Sequence, residues 1–152
     1  MKKSKPARTN ATGRNETEQY FTLSYRMAQS PAWRSLSGRA CKVWIELRCR
    51  FYGANNGKLS LSFDEAARLL GIGKATVQRA FKELEAKGFV VMVRRGQWYG
   101  RLATEWAVTD KSLNGHPPTH AWKHWRPSGK TKSRFPDGTV APADGSATVP
   151  KI

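Results

Sequence analysis

The stretch "GIGKATVQRAFKELEAKGFV" (residues 71–90) decides how the rest of this chain is read. Val77, Ala80, Phe81 and Leu84 fall at i, i+3, i+4 and i+7, which predicts a helix over 74–87 with one apolar face. Gly71 begins the tight turn before it, and Gly88 ends it. Upstream, Ser62-Phe63-Asp64-Glu65 reads as a capping box: Ser62 bonds the Glu65 amide while Glu65 reaches back. The helix it opens, 63–70, is expected to bury Ala66, Ala67, Leu69 and Leu70 and to close on Gly71. Downstream, the apolar "FVVMV", the Gly-bearing "RRGQWYGR" and the alternating Leu102, Thr104, Trp106 and Val108 predict a β-hairpin.

Further out, "SYRMAQSPAWRSLS" reads as a short helix ending near Ser30-Pro31, followed by a turn. Ala40, Val43, Trp44, Leu47 and Phe51 then outline a longer helix, capped by Ser37 and closed at Tyr52-Gly53. "ANNGKLSLS" offers a turn at Asn55-Asn56-Gly57 and a short strand from Lys58 to Leu61. The predicted order is helix, strand, helix, tight turn, helix, hairpin. Residues 1–19 are polar, basic and aperiodic, as in a disordered arm. Residues 20–110 hold nearly all the aliphatic side chains and form the expected folded unit. Residues 111–152 are a basic Pro/Gly-rich tail, whose start (111–127) is expected on the core through Leu113, Trp122 and Trp125, with an interaction patch as the alternative.

A chain of 152 residues, 39% hydrophobic with six tryptophans, supports one modest domain with a real core. Its formal charge is +16, and arm, core and tail are each net cationic, so a polyanion is the natural partner. Cys41 and Cys49 have neither disulfide-framework nor zinc spacing, which favours a reducing cytoplasm. The basic start lacks the apolar run of a signal peptide, no segment is apolar enough to span a bilayer, and sequons at Asn10 and Asn15 read as chance. His116, His120 and His124 are four apart, but Pro117-Pro118 breaks a helix there and no acid or thiol is near, so no metal is expected. No nucleophile triad, phosphate loop or paired-carboxylate site is visible; neither an enzyme nor a cofactor is expected, and no small-molecule effector is evident.

Ala67, Gly71, Ile72, Val77, Ala80 and Phe81 have the spacing of a helix-turn-helix: a small residue where helices approach, Gly at the turn, then locking aliphatics. With the hairpin behind them, residues 36–108 resemble the winged helix-turn-helix DNA-binding family, in the style of bacterial transcription regulators and phage or plasmid replication-control proteins. The resemblance implies an α+β fold of three core helices and a β-hairpin wing, with flexible terminal extensions. Gly73 departs from it, standing where the family usually has a Ser or Thr N-cap.

Geometry alone turns Lys74, Ala75, Thr76, Gln78, Arg79 and Lys82 outward, a set suited to phosphates and base edges in a major groove. Glu83 and Glu85 sit toward the other end. In the wing, residues 94–101, Arg94 and Arg95 resemble arginines set in or beside a minor groove. Gln97 lies with them, Arg101 on the return strand is an expected phosphate contact, and Trp98 and Tyr99 either stack on a sugar or base or fold back on the hairpin. The basic arm, through Lys2, Lys3, Lys5 and Arg8, either follows a phosphate backbone or is solvated. Double-stranded DNA is thus the expected partner, in a cytoplasmic, nucleoid-associated protein regulating transcription. The alternatives are a replication or mobilisation factor of a mobile genetic element, an RNA-binding or protein-docking winged helix, and a nonspecific architectural protein. A homodimer through the aromatic tail or first helix is left open.

Overall fold

The computed structural model describes residues 19–128; the expectations for the arm over 1–18, its sequons and the tail beyond 128 lie outside them. Two short helices come first, α1 (Tyr25–Ala28) and α2 (Pro31–Arg34), capped by the hydroxyls of Ser24 and Ser30. One helix ending at Pro31 had been expected. Pro31 instead starts the second, because a first-turn position needs no N–H and suits the fixed φ of proline.

Helix α3 (Gly38–Cys49) starts on Ser37, whose hydroxyl accepts from the Ala40 amide, and its buried stripe is Ala40, Val43, Trp44, Leu47 and Arg48. It stops at Arg50, earlier than the expected Tyr52-Gly53, and the short strand is β1 (Leu59–Ser60). Helix α4 (Phe63–Leu70) takes its cap from Ser62 and ends on Gly71 at φ 63°. Glu65 does not reach back to Ser62: its Oε1 accepts from Arg50 Nη2 at 2.9 Å, a charged donor that outcompetes a neutral amide. Leu69, expected inside, is 52% exposed. Phe63, Ala66, Ala67 and Leu70 set the inward direction, and Leu69 points about a third of a turn away from it.

Helix α5 (Lys74–Ala86) follows, then β2 (Val90–Arg94) and β3 (Glu105–Val108). The sheet is antiparallel in the order β1-β3-β2, with Leu59 opposite Trp106 and Val90 opposite Val108; the pairing is irregular between Met92 and Arg94. The result is an α+β fold in which the helices cover one face of a small sheet.

Aromatic rings join the layers. Phe81 of α5 stacks on Trp106 of the central strand with centroids 4.4 Å apart, which fixes how α5 is rotated. Trp33 meets Trp44 and Phe89 edge-on. The chain then returns: residues 121–124 form a single 3-10 turn that buries Trp122 parallel to Phe89. Gly88, at φ 79°, lies beneath that turn, and a Cβ there would come within 2.7 Å of the Trp122 nitrogen. Trp122 therefore belongs to the core, and Trp125 packs half-buried against it, over Lys87.

Candidate nucleic-acid interface

The outward face of α5 follows from its inward one. Burial of Val77, Ala80, Phe81 and Leu84 turns Lys74, Ala75, Gln78, Arg79 and Lys82 to solvent, with Thr76 half-buried at the margin. Lys74 Nζ pairs with Asp64 at 2.9 Å, an exposed contact that a phosphate could exchange. Arg79 lies back on its own helix, with contacts of 3.4 Å to the Ala75 carbonyl and Thr76 hydroxyl. These bonds are long and cheap to break, so its guanidinium fork is available. Gly73 caps α5 with no side-chain bond, which leaves first-turn amides open to an anion.

The hairpin departs from its expected layout in two places. Arg94 is the last residue of β2, and its Nη2 pairs with Glu105 Oε1 at 2.8 Å across the strands, so it is not a free tip arginine. Arg101 is not on the return strand. It sits in the turn at φ 50°, its amide donating to the Trp98 carbonyl, because the strands re-pair only at Gln97 and Leu102. Leu102 is exposed, so the alternation of the return strand begins only nearer Trp106. Trp98 and Tyr99 do not fold back: both rings project from the apex into solvent. Arg95 and Gln97 are exposed.

A cleft of about 550 Å³ joins the two halves, lined in part by Ser62, Asp64, Lys74, Gln97, Trp98 and Arg101. The structure thus brings the start of α5 and the hairpin tip to one concavity. Gln78, Arg79 and Lys82 lie outside it, further along α5.

Electrostatics reinforce the grouping. Among the described residues every carboxylate except Glu85 is in an ion pair: Glu46 and Glu65 with Arg50, Asp64 with Lys74, Glu83 with Lys87, Glu105 with Arg94, and Asp110 with Arg48. Arg79, Lys82, Arg95 and Arg101 have no such partner there, which leaves this face cationic, although cations elsewhere such as Arg26, Arg34 and Lys58 are unpaired too. Glu83 is held away from it. Its carboxylate accepts from the Ser37 amide at 2.9 Å and the Ser37 hydroxyl at 2.7 Å, bracing the start of α3.

Sequence reasoning missed Arg39 and Lys42. They line a shallow groove with Ser37, Gly38 and Ile72, directly beside the turn between α4 and α5. The available signal was a cation in the first turn of α3, where the helix dipole favours anions.

His120 starts the 3-10 turn, and burial pulls its pKa below the ordinary imidazole value. The described residues hold no cluster of three metal-ligating side chains, both cysteines are free, and no helix there is long and apolar enough to cross a membrane. Of the aromatic tail, expected on the core with an interaction patch or dimer contact as alternatives, Trp122 lies inside the core and Trp125 packs half-buried against it.

No protein-family model matches the chain, and no curated protein or solved structure shows significant similarity to it.

Proposed function

We propose that this chain is a winged helix-turn-helix protein that binds double-stranded DNA with sequence preference. Helix α5 enters the major groove, and the hairpin rests on the adjacent backbone or minor groove. The observation that carries this reading is the outward face of α5. Gln78, Arg79 and Lys82 stand exposed, no carboxylate among the described residues pairs with Arg79 or Lys82, and the apolar side chains that α5 leaves uncovered are only the small Ala75 and Ala86. A helix that docks proteins would present larger apolar side chains. The role we assign is regulation of transcription; whether bound sites in a genome-wide pull-down cluster at promoters or at an origin separates it from replication or mobilisation.

Binding to selected and random duplexes over a salt series tests the reader itself. Arg79→Ala should cost about 1–3 kcal/mol on the selected site and relax base choice there. Arg95→Ala should weaken both duplexes alike and flatten the log–log salt slope by about 0.9, one phosphate contact. Equal losses on both duplexes for both variants would reduce the protein to a nonspecific polycation.

A further inference from the structure

Trp98 and Tyr99 occupy the hairpin apex with 89% and 98% of their surfaces exposed. Every other tryptophan of the chain is buried or half-buried. Leaving two large rings in water has a hydrophobic cost, and consecutive exposed rings mark a surface that waits for a ligand.

The turn beneath them is firmly built. Gln97 and Leu102 exchange backbone bonds of 3.0 and 3.2 Å, and the Gly96 amide donates to Thr104 Oγ1 at 3.1 Å. The strands press so closely at Gly96 that a Cβ there would lie 2.6 Å from the Leu102 carbonyl oxygen. The surroundings select the ligand. Arg95 and Arg101 flank the rings without ion-pair partners among the described residues, and the nearest carboxylates, Asp64 and Glu105, are engaged by Lys74 and Arg94. Planar rings among free cations suit a planar, anionic ligand.

We propose that the apex is a stacking platform for an unpaired nucleotide, so that the protein holds a locally opened or single-stranded stretch beside its duplex site. A paired base has both π-faces covered by its neighbours, and a minor groove about 6 Å wide does not admit two adjacent large rings without opening. An unpaired base offers its face to Trp98 or Tyr99, and its phosphates reach Arg95 and Arg101. This inference rests on the proposed duplex reading for the placement of the hairpin beside DNA.

The test uses the full chain and two probes of one sequence at one salt concentration: a fully paired duplex, and the same duplex with a central unpaired bubble of about six nucleotides, a length within the span of known single-strand sites. The bubbled probe should bind about tenfold tighter, the effect of stacking roughly one base. It should also protect exposed tryptophan fluorescence from iodide quenching, a signal that only Trp98 supplies at full exposure. W98A/Y99A should abolish the preference for the bubbled probe, while Trp98→Phe retains it because its ring still stacks. Both rings lie outside the core, so these variants should melt with the wild type.

Equal binding of both probes by the wild type would overturn the platform and leave the duplex reading standing. So would a preference that survives W98A/Y99A. Binding of the bubbled probe alone would support the platform and sink the duplex reading. Binding of neither would remove both.

Discussion

Asn56 shows how much one side chain can join. It is buried between the loop before β1 and the end of β3. Its Oδ1 accepts from the Val108 amide at 2.8 Å, while Nδ2 reaches the carbonyls of Val108, Lys111 and Ser112 at 2.9–3.1 Å. Asn56→Ala should lower stability by about 3 kcal/mol, because buried backbone groups lose their partners, and a shifted denaturant midpoint would measure it. Asn56→Asp should be worse, since a carboxylate would face carbonyl oxygens. None of this was legible in "ANNG", which reads as a turn; the partners lie 52 or more residues away. Gly73 invites the opposite change. A Cβ there would meet nothing nearer than Thr76 Oγ1 at 3.8 Å, and φ is −68°. Gly73→Ser should therefore fit, cap α5, and raise stability by about 0.5 kcal/mol in the same assay.

Among the elements, α3 and α5 are tied by Glu83. Burial alone would raise its pKa, but hydrogen bonds from Lys87 and Ser37 outweigh that and hold it below the ordinary value of 4.5. A carboxylate depressed in the folded state stabilises above its unfolded pKa, and that contribution disappears as pH falls through the folded pKa. Glu83→Gln should thus cost about 1 kcal/mol at neutral pH, and the gap to wild type should close as melts are taken further below pH 4.5. A gap unchanged in acid would mean that shape, not charge, holds Ser37. Elements with strong periodicity were legible: α4 and α5 lie within a residue of expectation, because an apolar stripe and a glycine cap act locally. The hairpin was legible as a hairpin but not in its detail. Whether Arg94 is free or paired depends on cross-strand register, which sets Glu105 opposite it and which the sequence of one strand does not contain. On the candidate face, the outward residues of α5 came from the same periodicity, while Arg39 and Lys42 required knowing that α3 begins beside Ile72.

For the whole molecule, composition marked residues 20–110 as the folded unit with the start of the tail, 111–127, expected on its core, and the core does continue past 110. Trp122 is 3% exposed, parallel to Phe89 and closed over Gly88, and the His120 amide donates to the Thr109 carbonyl. Trp122→Ala should cost about 3–5 kcal/mol, and a fragment ending at Asp110 should lose at least as much, read as a lower melting temperature. The tryptophans of the segment were the signal that put its start on the core, but its composition of prolines, histidines and lysines resembles a linker and did not show that Trp122 lies parallel to Phe89. Charge behaves similarly. The total of +16 gave no location, but internal pairing draws off cations such as Arg48, which is 2% exposed and inside a cage of Phe21, Trp44 and Phe51.

Strand β2 lies at the edge of the sheet and exposes Val91, Met92 and Val93 in succession. Three apolar residues on an open edge invite sheet extension between copies, and two features oppose it here: the irregular step between Met92 and Arg94, and the arginines at 94 and 95. Arg95 is therefore a gatekeeper against aggregation as well as a candidate phosphate contact. Neutralising it removes both functions together, and crowding or high concentration would expose the second even where no nucleic acid is present.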